Sequence, residues 1–315
     1  MSTWEKTATK VNGFLDTLGI RNYHRWEVTI MRVAFAVLVF YTFPTEKHLY
    51  ATQEHPNGIA HWFDLTFLAD PEEYKPLEFI ACICLVVYAL GILPVLPLGY
   101  LVWFSIVTRT LANSQGGISH SYQMVTLILL AQFIVAFCAF VVPLFKERRF
   151  SLFQNRFWDN CAVYYSQLGM AGAYVIAALT KLNNSGLMWF WNSPYFVTDV
   201  IKTNRQNYYA KLDDERFLEF GKEVEYVQAI SDYPMFARVL FAPGILFEIG
   251  AFLALLGRKW ALAVGLSLVA LHLGIKEVMK LDFLKNEICV AIFMINIPFW
   301  IFYLVQKTRG KKVEL

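Results

Sequence analysis

Residues 122–145 read YQMVTLILLAQFIVAFCAFVVPLF, an apolar stretch interrupted only by Gln123, Thr126 and Gln132 and containing no charge. A helix that crosses the hydrocarbon of a bilayer needs about 20 mostly apolar residues, and this stretch supplies them. Outward from it, similar runs recur along the whole chain. We place eight membrane spans, near 28–44, 77–93, 95–112, 122–145, 160–181, 235–256, 259–275 and 286–305. The second and third are parted only by Leu93-Pro94. Pro94 and Pro97 predict a tight hairpin there, because the combined run is too long for one crossing. The composition agrees. Of 315 residues, 57% are hydrophobic and 17% charged, against roughly 25% charged in soluble domains. The fold class expected is an all-α polytopic membrane bundle forming a single domain over 1–315.

The net charge of +3 is not a nucleic-acid signature in such a chain; it reports orientation. The N-terminal segment 1–27 carries Lys6, Lys10, Arg21 and Arg25. Loop 146–158 carries Lys146, Arg148, Arg149 and Arg156, span six is followed by Arg258-Lys259, and the tail 306–315 holds Lys307, Arg309, Lys311 and Lys312. The alternate segments 45–76 and 182–234 are richer in acids. Basic segments mark the cytoplasmic side, so both termini are expected there, and loops 45–76, 108–121, 182–234 and 276–285 face outward. Loop 276–285 fits least well, with Lys276, Lys280 and Lys285 on the outer side. Localisation follows as an integral protein of a bacterial inner membrane or an ER-like membrane. The first 25 residues lack the pattern of a cleaved leader. Residues 4–20 are expected to form an interfacial helix, and 213–227 a helix in the long outer loop. The five cysteines, Cys82, Cys84, Cys138, Cys161 and Cys289, show neither zinc-site nor redox spacing and read as small buried apolar residues.

Ionisable residues at membrane depth are costly and point to function by default. Arg109 ends span three, His120 opens span four, Lys181 ends span five, Glu248 lies in span six and His272 in span seven, while Glu46 follows span one. All but the deeper Glu248 fall at the outer ends of their helices. Each also has a plainer reading. Lys181 can snorkel to the interface. Arg109 can anchor or pair, His120 can cap its helix, and His272 can be a buried hydrogen-bonded histidine. The aromatic group Trp189, Phe190, Trp191 and Tyr195 is either an interfacial belt or the wall of a pocket for a lipid-like molecule. No metal is expected, since the histidines lack ligand spacing. A lysine at the edge of hydrocarbon becomes a usable base, and an adjacent histidine can relay a proton. Without a phosphate loop or a serine nucleophile, this leaves proton abstraction, or oxygen and quinone chemistry, on an apolar substrate.

At these residues the chain resembles the vitamin K-dependent γ-glutamyl carboxylases, within the horizontally transferred transmembrane (HTTM) group. Arg32 to Leu49, with Phe43-Pro44-Thr45-Glu46-Lys47, resembles the first span and its exit. His120-Ser121-Tyr122 resembles the family's His-Ser-Tyr. Ala178-Leu179-Thr180-Lys181-Leu182 resembles the segment with the catalytic lysine, and Glu248 followed by His272 resembles the late acidic and histidine positions. The resemblance runs in order over 28–305. It implies that Lys181 starts the reaction as the base on reduced vitamin K or menaquinol and that His120 assists. The oxygenated quinone then provides the strong base for a glutamate γ-proton, and carbon dioxide adds. Arg109, Glu248, His272 and Glu46 would support the site, with Trp189, Trp191 and Tyr122 against the cofactor. Such an enzyme is a carbon–carbon lyase with an extracytoplasmic site, and its partners are membrane quinone or lipid and a peptide or protein glutamate. Two departures stand out: Ile118-Ser119 replace an asparagine pair of vertebrate members, and no large lumenal domain follows the last span. Two other expectations remain open, an HTTM-fold oxidoreductase subunit or maturation factor acting with a partner, and a non-enzymatic quinone- or lipid-binding protein.

Overall fold

The computed structural model describes residues 20–44, 49, 51–52, 56–115, 120–146, 155–209, 222–279 and 281–310. They form an all-helical bundle without strands. The long helices are α1 (Arg25–Phe40), α2 (Pro71–Leu90), α3 (Val95–Ser114), α4 (His120–Lys146) and α5 (Arg156–Asn184). The segment after α5 holds three short helices, α6 (Trp189–Asn192), α7 (Val197–Tyr209) and α8 (Lys222–Asp232). Then come α9 (Pro234–Phe241) and α10 (Pro243–Ile249), with a tightened turn over Gly250–Leu256, followed by α11 (Arg258–Met279), α12 (Leu284–Val290) and α13 (Ile297–Thr308).

Among the described residues, five helical stretches are long and apolar enough to cross a membrane: Val95–Ser114, Tyr122–Phe145, Arg156–Asn184, Pro234–Leu256 and Arg258–Met279. A sixth is broken. Leu284–Ile295 and Ile297–Thr308 meet at a bend of 40°. The sequence reads 286–305 as one straight span, and the break has a local cause. Ala291–Ile295 is wound as a π-helix, and Asn296 takes the left-handed conformation at φ 53°. The Asn296 side chain then caps the next helix by accepting from Phe299 N at 3.3 Å, with Pro298 in its first turn. The two remaining expected spans are α1, with 16 residues, and α2, whose first two turns carry Glu72, Glu73, Lys75 and Glu78.

Local signals place the helix ends. Asp70 accepts from Glu72 N at 2.9 Å ahead of Pro71, a normal helix start. The expected hairpin is present: α2 stops at Gly91 (φ 71°) and α3 begins at Val95. Gly91 also admits the guanidinium of Arg32, which sits where a Cβ would be and pairs with Asp159 at 2.8 Å. The expected helix 4–20 and the start of the helix predicted from 213 lie outside the described residues. All five cysteines are free thiols.

The helices alternate in direction, so the bundle has two ends. One holds the starts of α1, α3, α5 and α11. Here Glu27, fully buried, accepts from His24 N at 2.9 Å, from Arg258 at 2.8 and 3.2 Å, and from Asn296 Nδ2 at 2.7 Å. Arg258 also lies 4.7 Å over the Tyr23 ring and 3.9 Å over Phe299. Gln167 donates to Tyr23 at 3.2 Å, and Arg21 donates to the Ala254 carbonyl. Burial pushes the Tyr23 phenol above its ordinary range and holds the Arg21 guanidinium below its own.

Candidate functional site

The opposite end holds the end of α5 and the last turns of α11. Along α5, Tyr174, Ala178 and Lys181 recur at helical spacing and share one face. Tyr174 and Ala178 are buried. Glu248 comes from α10. It is buried, and its Oε1 accepts from Lys181 Nζ at 2.5 Å. Its other oxygen, Oε2, is buried with no hydrogen-bond partner. A carboxylate at membrane depth has to pair or take up a proton, and Lys181 is the pair.

His272 reaches the same group from α11. Its Nε2 is 3.4 Å from the Tyr174 hydroxyl, and the Lys181 charge acts on the ring. Its Nδ1 is buried without a partner. Phe283, in the turn between α11 and α12, stacks on the imidazole with centroids 5.0 Å apart and planes 15° apart. That turn is held by Lys276 and Asp282 at 3.2 Å. On the other side, the chain leaves α5 through Gly186 and Leu187, both at positive φ, and turns back so that Trp189 faces the lysine. Lys181 Nζ lies 5.7 Å from the Trp189 ring centre. The indole Nε1 is a third buried group without a partner. Trp189 continues into Phe196 and Phe241, an aromatic wall beside the pair.

The other expected site residues are placed differently. Arg109 and Tyr122 belong to a second cluster, with the guanidinium 3.4 Å from the Tyr122 ring centre and Lys285 Nζ 3.9 Å from it. Trp191 stands with Arg238 at 5.0 Å, not with Lys181. His120 opens α4, but its side chain lies outside the described residues, as does Glu46. Among the described residues no group of three or more His, Cys, Asp or Glu could hold a metal ion. Sequence reasoning missed Tyr174, Phe283 and Lys285. Tyr174 was within reach, since it lies two turns before Lys181 on the same face. Phe283 is brought in by the turn after α11, which the sequence does not announce.

The pairing also changes what Lys181 can do. A lone lysine at the hydrocarbon edge is a base by desolvation. With Glu248 against it, Lys181 is held in an ion pair, and the acceptor left without a partner is the buried carboxylate oxygen Oε2. Two small crevices lie elsewhere: one lined by Arg32, Tyr88 and Gln132, the other by Tyr23, Arg258 and Asn296. Comparison with protein-family models, with curated proteins and with solved structures gives no match to this chain.

Proposed function

We propose that the chain is a quinol-dependent membrane enzyme of the carboxylase-like HTTM kind. It has eight transmembrane helices, with both termini cytoplasmic and the Lys181 site facing the extracytoplasmic side. The apolar helices support the membrane location. Loop charges support the orientation, and α1 and α2 complete the count of eight.

The observation that carries the reading is the Lys181–Glu248 pair, closed through one carboxylate oxygen and open at the other. Buried polar groups are nearly always satisfied, so an unpaired one calls for an explanation. Three occur together here: an acceptor on Glu248, a ring nitrogen on His272 and a donor on Trp189. They fit an aromatic diol, which offers two hydroxyl groups and a flat apolar ring. A reduced quinone, were it held there by Glu248, His272 and Trp189, would supply two electrons to oxygen. The protein's part is to bind and to move protons. Glu248 Oε2 accepts a hydroxyl proton and Lys181 balances the charge. His272 holds or returns a proton at Nδ1, steadied by Tyr174 and Phe283. Trp189 gives the ring a face to stack on. His120 assists from the start of α4.

The test uses the full chain in lipid nanodiscs with menaquinol or vitamin K hydroquinone, oxygen, labelled bicarbonate and a glutamate peptide. Oxygen uptake and label incorporation are expected, and both are lost in Lys181→Ala and Glu248→Gln. Turnover that persists in Lys181→Ala overturns the assigned base. A closed ion pair also suits a quinone-binding protein without turnover, alone or as a subunit with a partner. Quenching of tryptophan fluorescence by quinone without oxygen uptake marks that outcome.

A further inference from the structure

The second cluster is independent of the Lys181 pair and has its own physical problem. Two cations, Arg109 from α3 and Lys285 from α12, approach one ring, that of Tyr122 on α4, to 3.4 and 3.9 Å. The ring face attracts each of them. It does not cancel their mutual repulsion, which is strongest where water is scarce. Among the described residues neither cation has an ion-pair partner. The carboxylate nearest in sequence, Glu287, pairs with neither: it is attracted by Lys276 and repelled by Asp282, and its Oε1 is buried without a partner. Arg109 also has a terminal nitrogen buried without any acceptor. Among the described residues, this guanidinium fork and ammonium on a shared aromatic support have no counter-charge with several oxygens.

We infer that Arg109, Tyr122 and Lys285 form a binding site for a phosphate group carried by a lipid headgroup. A phosphate has oxygens enough to accept from both cations at once, and the planar guanidinium favours it bidentately. The lipid source follows from position. The three residues lie near the end of α3, the start of α4 and the start of α12, at one end of the apolar helices. That is the depth at which side chains at the ends of membrane helices meet the phosphates of the lipid headgroups. Ile106, one turn before Arg109, and Leu284, beside Lys285, are exposed apolar side chains on which acyl chains can lie.

Native mass spectrometry of the detergent-purified full chain tests this with phosphatidylglycerol, with a diacylglycerol of the same tails, and with inorganic phosphate or acetate as competitors. The expected result is binding of phosphatidylglycerol and not of diacylglycerol. Arg109→Gln and Lys285→Gln should each weaken it about tenfold. Lys285→Arg should retain it, and phosphate should compete better than acetate. Unchanged lipid affinity in both glutamine variants overturns the site. Equal binding of diacylglycerol overturns the role of phosphate, and acetate competing as well as phosphate reassigns it to carboxylates. Tight binding of free phosphate with no lipid retained overturns the lipid source. If Arg109→Gln does not fold, Lys285→Gln against Lys285→Arg decides alone. Lys181→Ala keeps lipid binding, so this inference and the enzymatic reading fail separately.

Discussion

Two buried glutamates, one at each end of the bundle, are handled in opposite ways. Glu27 receives four hydrogen bonds, at 2.7 to 3.2 Å, from a backbone amide, both arms of Arg258 and Asn296. Glu248 receives one, from Lys181 at 2.5 Å, and keeps an oxygen unsatisfied. The neighbours follow suit. Around Glu27 the exception is Gln167 Oε1. Around Glu248, His272 Nδ1 and Trp189 Nε1 also lack partners. A saturated network fixes structure, and one with free valences is available to a ligand.

The largest effect is expected where the network is saturated. Glu27→Ala leaves Arg258 buried without its partner and should cost about 3–5 kcal/mol of stability, read as a lower Tm in detergent. An unchanged Tm would break the comparison. At the other end, Glu248→Gln should reduce turnover about 10²–10⁴-fold while lowering Tm far less than Glu27→Ala does. If stability falls equally at both ends, the free valences carry no functional meaning. Between the ends, α11 packs at Gly265 against the π-wound segment Ala291–Ile295, where an added Cβ would lie 2.7 Å from Ile295 and 3.3 Å from Met294. Gly265→Val should cost about 1–3 kcal/mol by overpacking. Its effect on turnover, compared with its effect on Tm, shows whether α11 couples the two networks.

The smallest effect concerns pH. Burial raises the Tyr23 phenol, so the folded state favours the protonated form. This contribution is fully present below the ordinary phenol value of about 10 and is lost as pH rises through the higher folded value. Alkaline titration followed by Tm should show less loss in Tyr23→Phe than in the parent. An identical alkaline limb would remove Tyr23 from the stabilising network.

Much of the bundle is legible in the sequence because burial in lipid demands long apolar runs. The spans expected at 95–112, 122–145 and 235–256 correspond to helices Val95–Ser114, Tyr122–Phe145 and Pro234–Leu256. The Asp70-Pro71 start and the Leu93-Pro94 hairpin are chain-local chemistry and are equally readable. What connects distant segments is not. Lys181 and Glu248 stand out as costly residues, but their contact spans 67 positions, which no periodicity encodes. Glu27 gives no warning, since an acid in a first helical turn is usually a solvated one. The broken last span left one local trace, Asn296 two residues before Pro298, which marks a new helix start inside an apolar run.

The bond from Asn296 to Glu27 joins positions 269 residues apart, and Arg258 is 231 residues from the same carboxylate. During synthesis, Glu27 is therefore made before either of its distant partners. Its contacts with Arg258 and Asn296 can form only after nearly the whole chain has been made. Assembly is completed by the last helix closing on the first, and loss of the C-terminal segment would strand a charge at the beginning of the protein.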